Sequence, residues 1–131
     1  MAYSRKKSRE VVFRMLFHSA FVPWQDDILE LACDGEELPV GPELEYIRRL
    51  YKVTVENLAE IDKVIVEHAK GFSFERIFKT DLTALRMGIA ELKYTDVPAV
   101  IAVNAAVEIA KKYGTEKSGG FVNGVLAETI K

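Results

Sequence analysis

Three observations predict an all-α fold. Apolar residues recur at three-to-four spacing along most of the chain, and residues that start and stop helices bracket those stretches. No β-branched run finds a partner strand. Six to seven helices follow. With no internal repeat, linker or low-complexity segment, residues 1–131 are expected to form a single domain.

The first helix begins near Ser4 or Ser8, either of which suits an N-cap. It buries Val12, Met15, Leu16 and Ser19, with Val11 at the margin, and Pro23 closes it. Asp26 and Asp27 cap a short helix with Ile28, Leu29, Leu31 and Ala32, broken by Asp34-Gly35. After a loop with Pro39 and Gly41, Pro42 opens a long helix. Its stripe (Ile47, Leu50, Tyr51, Thr54, Val55, Leu58, Ile61, Ile65) runs unbroken to about Ala69, long enough to be the spine of the domain, and Gly71 ends it. Phe72, Phe74 and Phe78 fall in a short connector, where three such rings are expected to pack into the core around a bend. Thr80 then caps a helix with Asp81 in its first turn and Leu82, Leu85, Ile89 and Leu92 on one side; Asp96-Val97-Pro98 stops it. Val100 to Val103 alone could be a strand, but without a partner the run reads as the entry to a helix. That helix buries Val103, Ala106, Val107 and Ala110 and stops at Gly114, after Lys111 and Lys112 in its last turn. Ser118 is the N-cap of a last helix with Phe121, Val122, Val125 and Ile130 on its buried face.

Composition narrows the function. The chain is 49% hydrophobic and 29% charged, ordinary for a soluble globular protein, and has no apolar run long enough for a membrane helix. No signal peptide is evident, and the lone cysteine, Cys33, suits a reducing cytosol. The net charge of −2 conceals an asymmetry. Residues 1–14 hold five bases (Arg5, Lys6, Lys7, Arg9, Arg14) against one acid, Glu10, whereas residues 26–45 hold eight acids and no base. A polyanion is expected to be drawn to the first segment and repelled from the second. Cations in the first turns of a helix oppose its dipole, so local stability does not explain them; a solubilising face and a nucleic-acid site remain as readings.

Catalytic signals are thin. Gly119-Gly120 precedes a helix without the Lys-Ser or Lys-Thr of a phosphate loop, although backbone N–H groups there suit an anion. His18 and His68 lack metal-ligand spacing, and Cys33 has no local redox partner. Asp81 and Glu91 sit about 15 Å apart along one helix, too far to act as a carboxylate pair. A binding protein remains. Bases stack on aromatic rings while lysines and arginines hold phosphates, and the turn from Gly114 to Ser118 lies between Tyr113 and Phe121.

The run Asp81-x-x-x-Leu85-Arg86-x-x-x-x-Glu91-Leu92 is followed by Val97-Pro98. Then come Val103-Asn104-x-Ala106-Val107-Glu108-x-Ala110-Lys111-x-Tyr113-Gly114 and Ser118-x-x-Phe121-Val122-Asn123-Gly124-Val125-Leu126. With the basic Arg5–Arg9 stretch, these make the chain resemble the NusB transcription antitermination factors over nearly its full length. The resemblance implies a NusB-like pair of packed helical bundles with no enzymatic activity and no cofactor, in the cytoplasm. It implies binding of single-stranded boxA-type RNA with NusE, a small-subunit ribosomal protein, in an RNA polymerase antitermination complex that reads through terminators, notably in ribosomal RNA operons. It places Arg5, Lys6, Lys7 and Arg9 on RNA phosphates, and Tyr113, Lys117, Ser118 and Phe121 beside them at the turn. Phe17 and Asp81 fall to the protein partner. Some relatives form homodimers, which adds a second copy as a partner. The chain departs from the family pattern at Ala105, where a glutamate is usual, at Leu82, where a base often stands, and at Lys117, often acidic. A scaffold with little RNA binding of its own is the alternative, and an RNA-methyltransferase appendage is a third; the end of the chain at Lys131 argues against the third. If both groups of residues hold one RNA, the two ends of the chain must meet in space.

Overall fold

The computed structural model describes residues 3–22 and 26–131, so the expected helix stop at Pro23 lies outside the described residues. Seven α-helices make up the described fold: α1 (Arg5–Ser19), α2 (Ile28–Cys33), α3 (Gly41–Glu56), α4 (Leu58–His68), α5 (Lys79–Tyr94), α6 (Ala99–Tyr113) and α7 (Ser118–Thr129). A single 3-10 turn, Phe74–Arg76, joins α4 to α5. α1 packs on α2 and α3; α4, α5, α6 and α7 form a second group, and α5 bridges the two by touching α1 and α3 as well. This is the expected pair of packed bundles.

Ser4, not Ser8, caps α1: its side-chain oxygen accepts the Lys7 N–H at 3.0 Å. Beyond the expected Val12, Met15 and Leu16, α1 also buries Val11 and Phe13. Pro98 immediately precedes α6, and the Val100–Val103 run is helical.

The long third helix is interrupted. Asn57 leaves helical geometry and turns its amide back onto the Val53 carbonyl at 2.8 Å, closing α3 before α4 begins. The apolar spacing passes through this bend, but Val55 there is exposed. The spine is instead α5. It is buried on nearly every side, with Ala84, Met87, Gly88 and Ala90 inaccessible as well as Leu82, Leu85 and Ile89. Small residues allow this. A Cβ at Gly88 would stand 3.0 Å from both Ala106 Cβ and Leu126 Cδ1, so α5 and α6 cross there at close range.

The connector rings do not fill the core. Phe72 and Phe78 are exposed and Phe74 is half-buried, while Ile77 supplies the buried side chain. α5 begins at Lys79 after Phe78, one residue before the expected Thr80 cap, with Asp81 in its first turn as expected. On α7, Leu126 completes the buried face with Val122 and Val125, whereas Ile130 lies past the helix end and is exposed.

Candidate nucleic-acid interface

The two ends of the chain meet. Glu10 of α1 accepts two hydrogen bonds from Lys112 of α6, at 2.9 and 3.0 Å. Arg14 Nε donates to the Tyr113 hydroxyl at 3.1 Å, and the Tyr113 ring stacks on Phe13 with centroids 4.8 Å apart. The basic start of the chain therefore lies beside the last turn of α6 and the turn that follows it.

Three of the cations that opposed the α1 dipole, Arg5, Lys7 and Arg9, have distant partners. Arg5 forks onto Glu43 of α3, Nε to Oε1 at 2.9 Å and Nη2 to Oε2 at 3.1 Å, and lies over the Tyr46 ring at 3.8 Å. That pair holds the Glu43 carboxyl below the usual carboxylate range, with Ser8 adding a hydrogen bond. Lys7 pairs with Glu36 and covers the Tyr3 ring. Glu36 is held low first by Lys7 and then by the fields of Arg14 and Lys112, which places all three cations around it. Glu36 and Glu43 thus bring the acidic segment against the basic start rather than away from it.

Arg9 and Ser118 are placed otherwise than expected for RNA contacts. Arg9 is buried, its Nε on both oxygens of Glu91 at 3.0 and 2.8 Å, and Glu91 is wholly inaccessible. Tyr46 donates its hydroxyl to the same carboxylate; burial first, and then Glu91, pushes the Tyr46 phenol above its ordinary value. The Arg9 charge is committed to joining α1 to α5. Ser118 is buried as the first residue of α7, after Lys117 at the cap position, and its Oγ accepts the Thr115 N–H at 2.8 Å. A Cβ on Gly114 would collide with that Oγ, so Gly114 both ends α6 and makes room for the turn. Ser118 shapes the turn from inside.

The remaining expected residues line its outside. Lys6 and Lys117 are exposed, and neither has an ion-pair partner among the described residues. Tyr113 is half-buried, with Lys112 Nζ 5.5 Å and Arg14 Cζ 5.9 Å from its ring centre. Phe121 is half-buried across the turn, edge-on to exposed Phe72 at 4.7 Å between centroids. Tyr113 and Phe121 thus flank one turn but pack on different neighbours. Arg14, Lys111 and Lys112 join this surface without having been singled out. Arg14 belongs to the same basic segment, and the two lysines read in sequence only as cations at a helix end.

A second surface adjoins it. Phe17 stacks on Phe13 and meets exposed Phe21 edge-on at 5.0 Å. With Leu31, Asp34, Thr80 and Tyr113 these rings line a cleft of about 440 Å³. Asp81, next to Thr80, is buried, and its Oδ1 has no hydrogen-bond partner among the described residues. Its charge suits the N-terminal turn of α5. Among the described residues no cluster of three or more metal-ligating side chains occurs, and no helix is long and apolar enough to cross a membrane.

The model of the NusB family matches residues 6–131. A transcription antitermination protein NusB from Agathobacter rectalis is 40% identical over 128 residues, covering 95% of this chain and 98% of that one. Among solved structures, T. maritima NusB superposes with a TM-score of 0.86 at 36% identity, covering 98% of this chain and 91% of that one. A complex of the antitermination factors NusB and NusE with dsRNA gives 0.84 at 28% identity, covering 95% of this chain and 93% of its counterpart.

Proposed function

The chain belongs to the NusB family, and on that premise we propose that it is a transcription antitermination factor. In this reading it binds single-stranded boxA-type RNA in the cytoplasm, together with a NusE-type small-subunit ribosomal protein. The assembly then helps RNA polymerase read through terminators in ribosomal RNA operons. One observation carries the reading: α1 and the end of α6 are locked together by Glu10–Lys112 and Arg14–Tyr113, so cations and aromatic rings from opposite ends of the sequence share one face.

Each group has a role that its chemistry supports. Lys6 and Lys117, free of acid partners among the described residues, hold phosphates, with Lys111 and Lys112 adding to the local field. Lys7 and Arg5 contribute more weakly, since each must share its charge with Glu36 or Glu43. Tyr113 and the Phe72–Phe121 pair offer ring faces to unstacked bases. Arg9 and Ser118 act from beneath, fixing α1 and the turn. No step calls for bond chemistry.

The Phe17 cleft takes the protein partner. Aromatic anchors in such a cleft supply affinity, and Asp81, one residue from Thr80 on its wall, lies buried beside it. Because three of the four expected phosphate-binding residues are already ion-paired, the partner is expected to strengthen RNA binding markedly. That same pairing favours the alternative of a scaffold with weak RNA binding of its own. Titrating labelled boxA-type RNA with and without the ribosomal partner tests the reading. Binding in the presence of the partner, suppressed by salt, supports it; no RNA binding in either arm, with the ribosomal protein still captured, leaves the scaffold.

A further inference from the structure

Between α1 and α6 runs a groove of about 470 Å³, within the about 300–1,000 Å³ that small-molecule sites occupy. Lys6 and Glu10 form its α1 bank; Ile101, Asn104, Ala105 and Glu108 present one face of α6 as the other. The chemistry of these side chains differs along the groove. Ile101 is 49% exposed and, with Ala105, gives an apolar floor. Glu10 is engaged by Lys112 through both oxygens. Asn104 and Glu108, one turn apart and both exposed, make no side-chain hydrogen bond to another described residue. Lys6 stands across from them with no acid partner among the described residues.

We infer that this groove receives a single unstacked RNA base bearing an exocyclic amine: adenine, cytosine or guanine. Its ring lies on Ile101 and Ala105, its edge meets Asn104 and Glu108, and its phosphate meets Lys6. The Asn104 amide both donates and accepts, as a base edge requires, while the Glu108 carboxylate only accepts. An exocyclic amine donates to that carboxylate. Uracil offers a single N3–H between two carbonyls, one of which would crowd the carboxylate; of the three cations along the groove, Arg9 and Lys112 are ion-paired, so a neighbouring phosphate falls to Lys6. A second protein copy is the competing occupant, drawn by exposed Val100 and Ile101; the unpaired amide, carboxylate and ammonium favour a base. The inference rests on the RNA-binding reading.

The test measures anisotropy of labelled 12-nucleotide single strands in which each position in turn is adenine, cytosine, guanine or uracil. The full chain, with the ribosomal partner present, is compared with Asn104→Ala, Glu108→Gln and Lys6→Ala. At one position the wild type should favour an amine-bearing base over uracil by roughly tenfold, the lower part of what one well-paired base edge contributes. Glu108→Gln should erase that preference while leaving the salt slope intact, because a glutamine amide can also donate to a carbonyl. Asn104→Ala should weaken all bases at that position, and Lys6→Ala should lower the salt slope without changing the preference. All three positions are exposed, and helical circular dichroism confirms that each variant is folded. RNA binding that persists with base preferences unchanged in Asn104→Ala and Glu108→Gln overturns the groove assignment and leaves the RNA reading standing. No RNA binding by the wild type at low salt overturns both. Variants that change only self-association in sedimentation assign the groove to a second copy and overturn the proposal.

Discussion

Replacing Glu91 by alanine removes the acceptor for both Arg9 Nε bonds and for the Tyr46 hydroxyl, in a place with no access to water. Arg9 is 7% exposed and Glu91 is its one ion-pair partner among the described residues, Glu43 only feeling its field from farther off, so its charge would stay buried without a direct counter-charge. Breaking a buried pair from one side costs about 3–5 kcal/mol. The Tyr46 hydroxyl adds little, because this half-buried side chain can turn toward water. A loss of about 4 kcal/mol is a large part of the roughly 5–15 kcal/mol that holds such a protein folded, and it lowers Tm by roughly 15 °C for a chain of this size. Urea unfolding followed by circular dichroism measures it. The double variant Arg9→Met, Glu91→Leu removes both charges and should recover most of the loss. Its RNA affinity should stay within about threefold of wild type, since each tenfold in affinity needs 1.4 kcal/mol of lost contact and Arg9 is assigned none. A single Glu91→Ala costing under about 1 kcal/mol, well below the buried-pair range, would refute the anchor role. So would a double variant no more stable than the single one.

Three further outcomes follow from the same geometry. Glu43 has a folded pKa held below its ordinary value by Arg5, so the pair stabilises the start of α1 fully above the unfolded carboxylate pKa and is lost as pH falls through the lower folded value; the hydrogen-exchange protection factors of the α1 amides, corrected for the intrinsic rate at each pH, should fall on acidification through that window and stay flat from neutral pH upward to pH 8. Gly114→Ala drives a Cβ into Ser118 Oγ and should cost about 1–3 kcal/mol, as overpacking does, in thermal melts; an unchanged melt would show that the turn relaxes freely. Phe17→Ala should weaken capture of the ribosomal partner by roughly thirtyfold, the effect of losing an aromatic anchor worth about 2 kcal/mol, and leave RNA binding without the partner unchanged; equal losses of both would argue against separate surfaces.

The helices were legible because their signals are local. Ser4, Pro98 and Gly114 punctuate the chain within a turn of where the helices begin or end. What the sequence hid depends on distant neighbours. An unbroken stripe from Ile47 to Ile65 cannot reveal that the Asn57 side chain competes for a backbone carbonyl. The burial of α5 on nearly every side could have been read from Ala84, Gly88 and Ala90, small residues where a one-sided helix would carry charge. Nothing near Glu91 announces Arg9, 82 residues away, so a buried anchor looked like one more surface base in a basic run. In the turn between α6 and α7 the buried residue, Ser118, and the exposed one, Lys117, are adjacent in sequence and differ in which way the backbone turns them.

The central claim is that the start of α1 and the α6–α7 turn hold one RNA. The most direct measurement is the salt dependence of binding to a single-stranded boxA-type RNA for wild type, Lys6→Ala, Lys117→Ala and the double variant, each with the ribosomal partner present. Each lysine on a phosphate should lower the slope of log K against log salt by about 0.7, and the pair by about 1.4. A double variant with the wild-type slope and affinity would contradict the claim.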